Sequence, residues 1–259
     1  MTYTFEDKGF FGYGQEGNFK YWSFAHFAPL ILLGLCIFLI VFYRKKLSEM
    51  KREGTFRFVF GFIILLVEMS YFWRLTYVGG TYVTKLPLQF CQWSCILSAF
   101  MIMSKNKKLY DICYFMVFTG GLFPLIMPAV ITTTGPAYYR YYQFWLEHIL
   151  PILAVIYMTF VHKYRPTWMS MVWAVCFVAF LTVFAVIANV TIEGAQYFYL
   201  TGTQYGASIM DVLPQSMWLR LPIYGAIMLV MFFLAYLPFF VMDLVKKKRE
   251  KQAQIAQQN

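Results

Sequence analysis

Charged residues are scarce in this chain: Asp, Glu, Lys and Arg make up 13% of its 259 residues. Soluble domains carry roughly 25%, so a water-soluble globule is excluded and an integral membrane protein is implied. Acidic residues are the scarcer sign, 12 against 22 Lys and Arg, which gives a net charge of +10. The basic residues fall in short runs between apolar segments. That pattern is a topology signal with attraction to anionic lipid as a side effect, and it argues against a nucleic-acid partner. Cysteine is limited to five residues (36, 91, 95, 113 and 176), all inside apolar segments. Neither a zinc-type spacing nor a secreted disulfide framework is present. No internal repeat appears, which weakens an inverted-repeat transporter. The N-terminus, where Glu6, Asp7 and four glycines precede Asn18, lacks the pattern of a cleavable signal peptide, so the first apolar run is expected to be retained.

What is abundant is apolar surface, 60% of the residues. It falls into seven runs near the ~20 residues that cross a hydrocarbon core: 22–43, 56–78, 86–103, 109–131, 142–162, 168–191 and 219–242. The fold expected is all-α, a polytopic seven-helix membrane domain over 22–245. It is preceded by an extracytoplasmic segment 1–21 and followed by a basic cytoplasmic tail 246–259 that is expected to be frayed. Sixteen of the 22 Lys and Arg residues lie on one side of the seven spans and six on the other, and the long 192–218 connection has none. The positive-inside rule then puts the N-terminus outside and the C-terminus inside, in the cell membrane. The aromatic content serves lipid-facing surface and interfacial belts and implies no cofactor.

With direction assigned, polar residues sort by depth. His26 in span 1, Cys91 in span 3 and His148 in span 5 all fall about one turn in from the outer ends. Asn189 sits at the outer end of span 6, Gln89 and Glu147 beside the central pair, and Glu68 near mid-membrane. Polar groups in a bilayer are costly, so a polar cavity open to the outer side is the economical account. Pro124, Pro128 and Pro151 add freed backbone carbonyls, those of Gly120, Pro124 and Glu147, to the same layer. Pro87 suits the first turn of a helix beginning near Leu86, which leaves Cys91 beyond the reach of the helix-end field. Cys91 is either a nucleophile with His148 as its base or an ordinary buried cysteine. A zinc site using His26, His148 and Glu68 is the less favoured reading, because the third histidine, His162, lies at the far end. Glu68 is expected to be protonated or paired across helices, with Arg74 or Arg220 as candidates.

Together these residues resemble the YwaF family of bacterial membrane proteins, which extends to transmembrane protein 164 of animals. The resemblance rests on Phe24-Ala25-His26, Leu86 to Cys91, Tyr114-Phe115 through Pro128, and Phe144-Trp145-Leu146-Glu147-His148. It continues in Gly194-Ala195-Gln196-Tyr197 and in Ser208 to Asp211. It implies a seven-helix membrane protein and, in the animal branch, acyl transfer between lipids by a Cys and a His matching Cys91 and His148. Three positions depart from the pattern: Gln89 replaces a His, Gln196 an Asn and Ala129 an Asp.

The function expected is a thiol acyltransferase or lipid hydrolase acting at the outer leaflet through Cys91 and His148, with no metal and no cofactor. His26, Glu68, Gln89, Glu147, Asn189 and Gln196 would line the substrate site, with Gln89, Asn189 or Gln196 as oxyanion donors. Membrane lipids are the partners expected. The competing class is a non-enzymatic solute binder or proton-coupled transporter that uses Glu68.

Overall fold

A computed structural model describes residues 9–12, 19–79, 86–128, 134–201 and 212–258. Ala129 and the Ser208 to Asp211 element lie outside the described residues, as do parts of the 1–21 and 192–218 segments. The helices are α1 (Phe24–Phe42), α2 (Arg44–Ser48), α3 (Glu53–Tyr77), α4 (Phe90–Ser104), α5 (Lys107–Met116), α6 (Leu122–Ile126), α7 (Tyr139–Phe160), α8 (Trp168–Thr191) and α9 (Met217–Gln258). A π-helical turn, Val117–Gly121, joins α5 to α6 into one rod. Among the described residues six rods are long and apolar enough to cross a membrane, and α4 is a shorter apolar helix between them. The expected all-α, seven-helix polytopic architecture is therefore present.

Local chemistry explains most ends. Asn106 accepts hydrogen bonds from the Lys108 and Leu109 N–H groups and starts α5. Lys105 before it is left-handed at φ 56° and ends α4. Thr167 and Ser170 cap the start of α8 reciprocally. Two expected ends are corrected. Helix α4 begins at Phe90, not near Leu86, because Gln89 and Gln92 form a reciprocal cap there. Pro87 sits instead in a three-residue turn, closed by Leu88 N–H to the Leu86 carbonyl at 2.9 Å. Helix α9 runs through the basic tail to Gln258. Its Lys, Arg, Glu, Gln and Ala residues are good helix formers, and Lys246 pairs with Glu250 one turn on.

Helix α7 is the axis of the bundle. It packs on α1, α3, α4 and the π turn, and most of its length is buried. Against it lie α3 and α4, which also pack extensively on each other. A Cβ at Gly61 of α3 would stand 2.7 Å from the Ala99 carbonyl of α4, the close approach that small residues permit between membrane helices. At one end of this trio Glu53 accepts hydrogen bonds from Arg57 (2.7 Å), His162 (2.7 Å) and Tyr157 (3.0 Å). Arg57 in turn donates to the Ile102 and Met103 carbonyls that end α4. The candidate site lies at the opposite end of the same three helices.

Candidate functional site

Helix α7 presents Arg140, Gln143, Phe144, Glu147 and His148 along one stripe, at spacings of three, four, seven and eight residues. Arg140 Nη1 donates to Glu147 Oε2 at 2.9 Å, and Gln143 Nε2 donates to the same oxygen at 3.0 Å. Arg140 also donates to Gln143 Oε1. Its guanidinium lies over the Tyr71 ring at 4.6 Å, so the cation is held by a carboxylate and an aromatic face together. Glu147 is 3% exposed, and a carboxylate that deep is tolerated because it is paired and hydrogen-bonded.

One turn further on, His148 Nδ1 lies 2.7 Å from the Phe144 carbonyl. A carbonyl only accepts, so Nδ1 carries a proton, and in the neutral ring Nε2 holds the lone pair. Pro151 removes the N–H that would have bonded the Glu147 carbonyl. The Cys95 thiol takes that place, donating to it at 3.0 Å. The freed carbonyl expected from the sequence is real, and its partner is the cysteine one turn deeper than Cys91.

Cys91 Sγ, a Glu147 carboxylate oxygen and a His148 ring nitrogen all lie within 4.8 Å of one another. Because α4 starts at Phe90, Cys91 occupies its first turn, contrary to the expectation that it lay beyond the helix-end field. The first N–H groups of a helix have no intrahelical partner. Here the Gln89 side chain takes that of Gln92, and those of Phe90 and Cys91 bond to no described residue. Partial positive charge therefore sits beside the sulfur. Cys91 as a residue is half-buried, while Glu147 and His148 are buried. The Phe90 ring fills the space a side chain would need at Gly120, and a Cβ there would stand 2.1 Å from it. Gly121 lies beside the His148 carbonyl. The π turn thus braces both sides of the site, a usual place for such turns.

Other residues singled out in the sequence hold different posts. His26 is fully buried, accepting from Trp22 N–H at Nδ1 (3.2 Å) and donating from Nε2 to the Leu125 carbonyl (3.0 Å). Both ring nitrogens are occupied, so His26 ties α1 to the end of α6 and offers no lone pair to a metal. Gln89 Nε2 donates to the Gln196 carbonyl and its Oε1 accepts from Phe198 N–H, both at 3.2 Å. Asn189 exchanges two hydrogen bonds with the Tyr197 backbone, at 3.0 and 2.8 Å. These amides clamp the Gln196–Phe198 loop against α4 and α8, so neither Gln89 nor Asn189 is free to act as an oxyanion donor, and Gln196 contributes its backbone.

Glu68 is 1% exposed, and neither of its oxygens has a hydrogen-bond partner among the described residues. Its electrostatic neighbours are Glu147, Arg140 and the Cys95 thiol. The expected cations are elsewhere: Arg74 donates to the Phe11 and Gly12 carbonyls, and Arg220 to those of Pro214 and Tyr199. Arg140 and Gln143 are the site residues that sequence reasoning missed. The seven-residue spacing from Arg140 to Glu147, with Gln143 between, was the available signal.

A family model described as the TMEM164 family matches residues 21–236. The chain belongs to the TMEM164 family. Every residue of the stripe, both cysteines of α4 and the clamped loop of this TMEM164-family protein lie inside the matched region. No curated protein and no solved structure matches the chain at a significant level.

Proposed function

We propose that this TMEM164-family protein is a thiol acyltransferase or lipid hydrolase of the cell membrane, acting at the outer leaflet through Cys91 and His148. One observation carries the reading: the thiol of a half-buried cysteine in the first turn of a helix, with a His148 ring nitrogen and a Glu147 carboxylate oxygen, all within 4.8 Å of one another. The family assignment and the Lys and Arg asymmetry support it for class and leaflet respectively.

The chemistry follows from the residues. His148 Nε2 accepts the thiol proton, and the sulfur attacks the carbonyl carbon of a lipid ester. The backbone N–H groups of Phe90 and Cys91 donate to the developing oxyanion. Glu147, itself neutralised by Arg140, stabilises the imidazolium. The ester C–O bond then breaks, and His148 returns the proton to the leaving alkoxide. A hydroxyl of a second lipid, or water, attacks the thioester with His148 again as base, which releases the acyl group and restores the thiol.

A second reading draws on Glu68, whose buried carboxyl lacks a hydrogen-bond partner among the described residues. It is a proton-coupled transporter or binder of a small solute. Vesicles containing the full chain and a phospholipid with a labelled acyl chain decide between the two. The enzyme reading expects lysophospholipid and a labelled product with wild type and neither with Cys91→Ser. Turnover unchanged in Cys91→Ser rejects it. Solute-dependent proton flux that is lost in Glu68→Gln, without acyl turnover, installs the second reading in its place.

A further inference from the structure

The end of α1 that leads into α2 is only partly covered by the bundle, with Cys36, Ile37 and Ile40 half-buried against the core. The buried residues of α1 are His26 and Leu33, and none from Gly34 to Phe42 is buried. The helix packs on α7, and its end toward α2 faces the first half of α3. Between them runs a groove of about 920 Å³, floored by Leu153 and Tyr157 of α7 and walled by Cys36 and Ile40 on one side and Phe60 and Ile63 on the other. That volume falls within the ~300–1,000 Å³ range of ligand pockets. An apolar slot facing a bilayer does not hold water, and lipid tails are as apolar as its walls.

The mouth of the groove has the opposite character. Lys46 and Glu49 line it. The stretch that carries them, 44–52, holds Arg44, Lys45, Lys46, Lys51 and Arg52, all exposed, against Glu49 alone. Of these cations Lys46 lines the groove, together with Glu49, while Arg44 and Lys45 line a neighbouring pocket with Phe38 and Val41. The stretch as a whole carries five cations against one anion, a local positive field that favours a negatively charged headgroup at the mouth. A headgroup bearing its own ammonium would meet like charge there.

We propose that the groove between α1 and α3 is a binding site for one anionic phospholipid, with an acyl chain along Ile40, Phe60 and Leu153 and the phosphate-bearing headgroup at Lys46. The site shares no residue with the Cys91 cluster and stands whether or not the chain transfers acyl groups.

Native mass spectrometry of the full chain tests this after equilibration in vesicles of equal parts phosphatidylglycerol and phosphatidylcholine. The expected result is one retained phosphatidylglycerol per chain, in preference to phosphatidylcholine. Lys46→Gln lowers that preference by about five-fold. Ile63→Trp, which fills the slot from the α3 side, removes the retained lipid while the thermal melt confirms that the bundle is folded. If Ile63→Trp does not fold, Cys36→Leu fills the slot from the α1 side in its place. Equal retention of the two lipids overturns the proposal. So does a free fatty acid or a second copy of the chain recovered in place of the phospholipid, or retention unaltered in a folded slot-filling variant.

Discussion

Replacing Gly120 with alanine tests whether the Phe90 ring positions Cys91. The added Cβ would stand 2.1 Å from Phe90 Cδ1 and 2.3 Å from Cε1. Carbon atoms settle at about 3.5–4.0 Å, so the ring must retreat by roughly 1.5 Å. Phe90 is the first residue of α4 and precedes Cys91, and its ring already meets Phe198 edge-on at 6.0 Å. A misplacement of about 1 Å at a reacting group costs on the order of 10²-fold in rate. Overpacking of this size costs about 1–3 kcal/mol of stability. Gly120→Ala is therefore expected to acylate at Cys91 roughly 10- to 100-fold more slowly, in a protein that still melts cooperatively. The assay is intact-protein mass spectrometry over time with an activated acyl ester. Adding Phe90→Ala, which removes the clashing ring atoms, should restore most of the rate. Wild-type acylation in Gly120→Ala, or no rescue by the second substitution, refutes the positioning argument.

Three further outcomes follow from the same contacts, and a fourth from the charge asymmetry. Gly61→Ala should lower stability by about 1–3 kcal/mol, because its Cβ meets the Ala99 backbone oxygen. Gly34→Ala, with nothing within 4 Å, should be neutral or better in a thermal melt. Cys95→Ala leaves the Glu147 carbonyl unpaired and should cost roughly 1–3 kcal/mol, whereas Cys95→Ser keeps a donor and should melt near wild type. A membrane-impermeant thiol label should reach a cysteine introduced at Ser208 from outside and one at Ser48 only after permeabilisation; the reverse pattern would move the site to the inner leaflet.

The helices were legible because length and hydropathy are local properties, whereas the caps at Asn106 and Thr167 came only from the structure. The start of α4 was misread because Pro87 and Gln89 carry competing signals. Proline favours a first turn, but the reciprocal bonds of Gln89 and Gln92 fix the boundary three residues later. The polar character of His26, Gln89 and Asn189 was legible and their direction was not: their hydrogen bonds go to backbone groups of α6 and of the loop after α8. The carbonyl freed by Pro151 was visible as a missing donor, while its partner Cys95 depends on how α4 packs on α7. Arg140 read as one of the few outer cations, since a single sequence does not show that α7 turns it inward onto Glu147. The π turn at Val117–Gly121 left no pattern that distinguishes it from a proline-containing α-helix.

The central claim is that Cys91 carries the acyl group, and peptide mass spectrometry of the acylated protein tests it most directly. Wild type and Cys95→Ser should carry a hydroxylamine-sensitive acyl adduct on the peptide containing Cys91. Cys91→Ser should carry none, because a serine hydroxyl is far harder to deprotonate with the same histidine. An adduct of equal yield in Cys91→Ser, or one lost in Cys95→Ser alone, would contradict the account.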